Sequence, residues 1–539
     1  MKRKYLYTLL APVLMFFYGC EDSLNTAPEG DEITQGTKEE VYANDPAKAK
    51  ASVNSIFAQF TQYAPNYTAL GDVTRHNDFG YPSVMMFTDA NGEDMVMEVI
   101  GYNWANSSLD FSDREFDSNE AQIVWNDMYS IIYNCNSVIG SIDEETEETP
   151  SQFYLAQGLA VRAFSYWNLA QLYQFNYKGN EAKPCVPIVT HLNANEVALA
   201  GAPRATVQEV YNLMLADINS AIALLSDAEE AEEPVVRDDK RYVSLAVAYG
   251  LRARINLTMH NYAEAAADAQ SAIDASDATP GTMEDVGKPS FMSVNESNWM
   301  WGIIINETDG VVTSGIVNWI SHLGSLNWGY CNYNGGRQIS KKLFNTIPDT
   351  DIRKGWFLDE NGESANLNAA QAAQMVEVGY RPYTHVKFAP YNNEVATTTN
   401  SNDVPLMRIE EMYLIKAEAL AMSGGDGKGA LETFVKSYRD PSYVCNASSP
   451  EGIQEEVYHQ RRVELWGEGM NWFDIMRLNK GVDRRGAGFI NASVIFNIPS
   501  NSDILLWRIS EPEIEANPLI GHGDNNPAAP APEPVADID

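Results

Sequence analysis

Between Asn318 and Gln338 the chain carries Trp319, His322, Asn327, Trp328, Tyr330, Asn332, Tyr333, Asn334 and Arg337, with glycines interspersed. Flat rings mixed with amides and a guanidinium suit one kind of chemistry. A sugar presents patches of C–H between its hydroxyls; ring faces cover the former, and Asn, Asp, Arg and Gln side chains pair with the latter. The candidate contacts here are Trp328, Tyr330, Tyr333, Trp319, Asn332 and Arg337. Two of the four rings Trp319, Trp328, Tyr330 and Tyr333 are expected to face a ligand, since a tryptophan in such a loop serves a core equally well. A second stretch, Arg75 to Trp104, has the same texture. Arg75, His76, Asn77, Asp78 and Tyr81 form one polar cluster and Tyr102, Asn103 and Trp104 another; Arg75, Asp78, Tyr81 and Trp104 are the candidates from it.

Other chemistries find less support. Glu464, Glu468 and Asp474 lie on or just beyond a charged helix beside Arg461, Arg462 and Arg477, where they read as neutralised rather than as a hydrolase pair. The run at Asp89 (DANGED) lacks the third acidic position and the terminal Glu of a calcium loop. There is no G-x-S-x-G, H-E-x-x-H or phosphate-cradling glycine loop, and the seven histidines are scattered. No enzyme activity, metal or cofactor is expected. Cys135, Cys185, Cys331 and Cys445 are far apart without C-x-x-C spacing, which excludes a zinc ribbon or thioredoxin motif and leaves any pairing open. A formal charge of −37 repels nucleic acid and anionic lipid surfaces.

The elements that must hold these loops are helical. From near Pro46, Ala51, Val53, Ile56 and Phe57 give an inner face, and Trp125, Tyr129, Ile132 and Asn136 form a stripe beginning at Gln122. Helices are predicted over 157–173, 206–225, 242–260 and 262–273, the last two joined by a tight turn. Ile409, Tyr413, Ala417 and Leu420 mark another helix, which Gly424 and Gly425 stop; Ala430, Leu431, Phe434 and Val435 mark its successor. Tyr249, Ala253, Ala265, Ala269 and Ala272 place small residues where tetratricopeptide hairpins need close contact. Four hairpins follow: the helix near 46 with that at 122, 157 with 206, 242 with 262, and 408 with 427. Such a hairpin cannot bury its apolar face alone, so stacking neighbours are expected. Leu70 to Asp117 reads as one long structured loop. Trp299, Trp301, Ile303 and Ile305 alternate as a half-buried strand with the tryptophans in the core. Arg461 and Glu464, one turn apart, are expected to pair.

Two segments carry a resemblance. Arg408, Glu411, Tyr413, Leu414, Ile415, Ala417, Glu418 and Ala419, followed by Arg461, Arg462, Glu464, Leu465, Glu468, Gly469, Trp472, Phe473, Asp474, Ile475 and Arg477, resemble the C-terminal signature of the SusD/RagB family of Bacteroidetes outer-membrane nutrient-binding lipoproteins. TIPDTDIRKGWF resembles that family's "D-x-R" turn. The alternating Arg and Glu identify a scaffold and read as a structural ion-pair network. At the other end, Lys2, Arg3 and Lys4 precede an apolar run to Tyr18, a secretory signal too short to span a membrane. Cys20 after Gly19 resembles a bacterial lipobox, whose thiol is acylated, and Glu21 and Asp22 resemble an export signal to the outer face. An ordinary cleaved signal with an incidental cysteine is the other reading.

The resemblance implies a mainly α fold of four tetratricopeptide-like hairpins with a second, irregular, loop-rich half containing short strands. The expected partition is a signal peptide at 1–19, a lipidated tether at 20–41, one domain at 42–523 and a disordered tail at 524–539. Within the domain, the helical scaffold covers about 42–62, 122–275 and 404–478, and the ligand-binding part about 70–120 and 276–403. The implied role is a non-catalytic, lipid-anchored protein on the outer membrane, facing the cell exterior. It would capture an oligosaccharide and deliver it to a SusC-like TonB-dependent transporter. A peptide-capturing lid of the RagB type and a tetratricopeptide scaffold for protein partners remain the alternatives.

Overall fold

From Leu155 to Tyr173 every residue of the helix Thr149–Tyr173 is buried. A helix without a polar face must be enclosed by others, and in the computed structural model, which describes residues 49–63 and 75–538, this one sits inside a stack of helical pairs. The signal segment, Cys20 and the tether lie outside the described residues.

We number the longer helices α1 (Ala49–Gln59), α2 (Tyr81–Asn91), α3 (Asn119–Ile139), α4 (Thr149–Tyr173), α5 (Val207–Glu230), α6 (Leu245–Thr258), α7 (Tyr262–Asp274), α8 (Ile409–Met422), α9 (Gly427–Tyr438), α10 (Pro450–Glu464) and α11 (Asn471–Arg477). The pairs α1/α3, α4/α5, α6/α7 and α8/α9 are the four hairpins. Each also packs on the next, through α3 on α4, α5 on α6 and α7 on α8, so the pairs form one continuous stack, with α8 and α9 enclosing a smaller apolar cluster of their own. Arg162 of α4 and Asp217 of α5 lock the second hairpin through two 2.7 Å hydrogen bonds. Capping follows sequence rules: Thr206 and Glu209 form a reciprocal box at the start of α5, and Ser118, Ser244 and Ser449 cap α3, α6 and α10.

Several expectations need correcting. In α1, Val53, Ile56 and Phe57 are buried, but Ala51 is exposed and Ala49 takes the inner position. The stretch read as one long loop contains α2, whose eleven residues are all buried. With no polar face it shows no 3.6-residue pattern, which is why periodicity misses it. Gly80 opens it at φ 85°, where a Cβ would stand 2.2 Å from the Phe60 carbonyl oxygen. Arg484 closes it by donating to the carbonyls of Ala90, Asn91 and Gly92.

The strands are few and short among the described residues: β1 (Met95–Val96), β2 (Trp299–Ile303), β3 (Gln338–Ile339) and β4 (Val404–Arg408) concern us here. β2 pairs antiparallel with β4 from Trp299↔Arg408 to Ile303↔Val404, and both strands are buried on both faces, not one. Trp299 and Trp301 are core, as expected, with Trp301 Nε1 donating to the Arg241 carbonyl at 2.7 Å. The stretch expected as a disordered tail is held against the body. Asn526 Nδ2 donates to the carbonyls of Tyr173 and Trp507, and Val535 N donates to the Ile495 carbonyl. Proline-rich composition denies this stretch a core of its own, yet its amides still find backbone partners on the domain.

The family-type Arg/Glu signature forms a buried ion network. Glu464 accepts from Arg408, Arg439 and Arg353, Glu468 from Arg408 and Lys387, and Asp474 from Arg461 and Arg477. Arg461 and Glu464 therefore do not pair with each other. Arg461 reaches across to α11 while Glu464 turns toward α9 and β4. Burial pushes the Glu464 carboxyl up, but the guanidiniums of Arg439, Arg408 and Arg353 outweigh it and hold it well below the usual carboxylate range. Burial likewise pushes Lys387 down to about 8 against the pull of Glu468. These are neutralised groups with no face left for a substrate.

Candidate functional site

The two ring-bearing stretches meet through backbone. β1 and β3 pair antiparallel, Met95 opposite Ile339 and Val96 opposite Gln338, and this two-residue ladder brings residues 97–104 beside residues 328–337. Beneath the junction lies a continuous run of rings. Phe79 stacks on His322 at 5.4 Å, His322 on Tyr330 at 4.7 Å, and His76 lies between Tyr330 and Trp104, stacked on the latter at 4.4 Å. The Tyr330 hydroxyl is hydrogen-bonded to His76 Nδ1, and one nitrogen of His322, Nε2, contacts the His76 carbonyl at 2.9 Å. Burial, with the charge of Arg337, drives His322 down to about 3, so it is neutral. This layer is a foundation, closed to ligand.

Above it three rings reach solvent. Trp328 is 39 % exposed, Tyr333 48 % and Tyr102 58 %. Tyr333 stands between the others, its centroid 5.8 Å from Trp328 at an interplanar angle of 87° and 5.7 Å from Tyr102 at 46°. The Trp328 backbone is fixed on both sides, its N–H donating to the Thr397 carbonyl at 2.9 Å and its carbonyl accepting from Asn400 Nδ2 at 3.1 Å. Asn327, behind it, donates to the side chains of Asn400 and Asn402. Residues 397–402 are thus a third support, one that carries no ring and gave no sequence signal.

The remaining candidates are placed elsewhere. Trp319 is core, edge-on to Phe388 at 5.1 Å. Tyr81 opens α2 in the core and donates its hydroxyl to Asn168 Oδ1 at 3.1 Å. Tyr330 is buried in the ring foundation, and Trp104 is half-buried on His76. Asn332 is half-buried with both ends engaged, donating to the Tyr380 hydroxyl at 3.0 Å and accepting from Gly329 N at 2.6 Å. Arg75 is half-buried, and Asp78 is buried with neither carboxyl oxygen hydrogen-bonded. Burial pushes Asp78 up to about 7 despite nearby Arg75. Arg337 is buried behind the exposed rings. The contribution of the second stretch is therefore Tyr102 rather than Trp104: Asn103 turns inward onto the Glu98 carbonyl and leaves its predecessor outside.

The DANGED run forms no ion cage. Asn91 donates to Ser108 and Asp113, while Glu93 and Asp94 are both taken by Arg462. All four described cysteines are buried and free.

Comparison with known proteins decides the family. Residues 48–257 match the family described as "Starch-binding associating with outer membrane", of the SusD-like type, and residues 359–492 match the SusD family, spanning the Arg/Glu signature. The chain belongs to the SusD/RagB family. It is 23 % identical over 414 residues to SusD-like protein P38 of Formosa agariphila, covering 69 % of this chain and 75 % of that protein. Among solved structures it is similar to a SusD-like carbohydrate binding protein from Bacteroides vulgatus (TM-score 0.72, 23 % identity, 90 % of this chain and 98 % of the other). It is also similar to a laminarin-binding SusD-like protein (TM-score 0.60, 17 % identity, 90 % and 99 %). These likenesses establish the mainly α fold. Trp328 and Tyr333 fall between the two family matches.

Proposed function

We propose that this SusD/RagB protein captures an oligosaccharide on the Tyr102–Trp328–Tyr333 platform and hands it to a SusC-like TonB-dependent transporter. In this reading an acyl group on Cys20 holds it to the outer membrane with the platform facing the exterior. The observation that carries the reading is the exposure of three neighbouring rings on rigid, backbone-pinned loops. Soluble proteins bury most such area, and neighbouring ring faces left in water suit the C–H faces of a sugar. Relatives described as carbohydrate-binding, one of them laminarin-binding, point the same way. A shallow platform of this kind should bind with about 4 to 6 kcal/mol, millimolar to tens of micromolar, which suits a relay that must also release.

The test is affinity electrophoresis of the mature chain through gels containing a panel of neutral and anionic polysaccharides. We expect retardation by at least one, and loss of it in the double variant Trp328→Ala/Tyr333→Ala with the circular dichroism spectrum unchanged. Equal retardation of parent and double variant on every polysaccharide that the parent binds would remove the platform from the site.

A further inference from the structure

Of the ten buried arginines among the described residues, eight sit on a carboxylate. A ninth, Arg484, has no acid partner but donates to five backbone carbonyls. Arg337 has neither. It is 1 % exposed, its one side-chain hydrogen bond goes to Asn103 Oδ1 at 3.2 Å, and its Nη1 is buried with no partner. The chain has 74 acidic residues and 37 basic ones, yet among the described residues no carboxylate forms an ion pair with it.

A neighbour shares the condition. Asn334 is fully buried with neither amide atom hydrogen-bonded. Leaving a buried donor unpaired costs about 1 to 3 kcal/mol, more for a charged one, so the two together are costly unless something else meets them. The cluster lies directly behind the platform: Tyr333 precedes Asn334, and Tyr102 precedes Asn103, the lone partner of Arg337. Arg381 adds a second guanidinium, donating to Gln338 Oε1 and facing Glu98 at 3.1 Å, so the side chains here carry a net positive charge even counting that carboxylate. Burial moreover depresses the Arg337 guanidinium to about 10, the mark of a cation lacking a counter-charge.

We propose that Arg337, with Asn334, receives an anionic group carried by the sugar on the platform, a uronate carboxylate or a sulfate ester. The inference rests on the glycan reading above and adds the class of glycan. A planar guanidinium is the side chain best matched to two oxygens of either group. Access requires the cover to shift at the turn between Asn334 and Arg337, where Gly335 and Gly336 stand at φ 81° and 83° and carry no side chain over the guanidinium. Such an arginine is kept at a cost to stability. Replacing a buried unpaired charge by an apolar side chain of similar length removes that cost, whereas replacing a structural arginine adds one.

The experiment compares each charged polysaccharide with its own neutralised form: polygalacturonate and alginate before and after carboxyl reduction, and carrageenan before and after desulfation. We expect the mature parent chain to bind one charged form on the order of tenfold more tightly than its neutralised counterpart, the scale of a charge-assisted hydrogen bond. Carboxyl reduction and desulfation separate the two sources of charge. Arg337→Met should bind both forms equally and melt no lower than the parent; Asn334→Ala should reduce the preference without abolishing binding. Parent binding to charged and neutralised forms within a factor of two overturns the inference while leaving the glycan reading in place. So does a preference that survives in Arg337→Met, or an Arg337→Met chain that melts lower while Asn334→Ala keeps the full preference. A parent that binds no polysaccharide, charged or neutral, refutes the glycan reading itself and this inference with it.

Discussion

Replacing Asp78 by Asn should stabilise the protein, and by an amount set by pH. The Asp78 carboxyl is buried between the start of α2 and α3, and neither of its oxygens has a donor. Asp127 of α3 is in the same state, its carboxyl driven well up by burial and then by the charge of Asp78. Burial raises Asp78 from 3.8 to about 7. The folded chain thus holds a proton that the unfolded chain releases above pH 4. A group raised in the fold contributes its full stability below the unfolded value and loses it as pH climbs toward the folded value. Each pH unit in that window costs about 1.4 kcal/mol, so the loss is about 2 kcal/mol at pH 5.5 and about 4 kcal/mol at pH 8. Asparagine has the shape of the protonated acid and cannot ionise. Asp78→Asn should therefore match the parent at pH 3.5 and exceed it by those amounts at the higher values. Melting entropy near 2 cal/mol/K per residue makes 1 kcal/mol worth about 1 °C in a chain this long, so a gain of about 4 °C is expected at pH 8. Thermal melts by circular dichroism in matched buffers measure it. A difference that does not change with pH, or a variant that melts lower at pH 8, would mean that Asp78 is ionised in the fold and that the reasoning about its surroundings is wrong.

Glu464→Gln removes the charge that three buried guanidiniums share and should destabilise by about 3 to 5 kcal/mol, the cost of stranding one side of a buried pair; urea denaturation measures it, and a loss under 1 kcal/mol would mean that solvent or other acids already neutralise the cluster. The buried cysteines, with burial pushing the Cys331 thiol up to about 11 and Cys185 to about 12, should resist a thiol reagent at pH 8 in native protein and react fully in guanidinium; rapid labelling of the native chain beyond any reaction at Cys20 would contradict their placement.

What the sequence disclosed divides along physical lines. α3 and α5 were legible because an apolar stripe on a capped run of good helix formers is a local signal, and α4, enclosed like α2, was legible by its length and its Ala- and Leu-rich run. α2 was not, since a helix enclosed on every side repeats with no period. The signature acids were recognised as neutralised, yet the pairing Arg461 with Glu464 failed because the partners come from β4, α9 and α11, far along the chain. At the platform, composition marked two stretches that the β1–β3 ladder brings together but could not assign which rings stay exposed. Whether Trp319 or Trp328 faces water depends on Phe388 and on the segment 397–402, which no local pattern announces.

The ladder that joins β1 to β3 holds the platform together by main-chain bonds between four residues, none of them a ring. The exposed rings and their framework are therefore separable. One can exchange side chains at 102, 328 and 333 as one changes the bits in a drill, and the chuck will keep its grip. This makes the protein a suitable starting point for building receptors toward chosen polysaccharides by saturating three positions, with folding expected to survive most of the library.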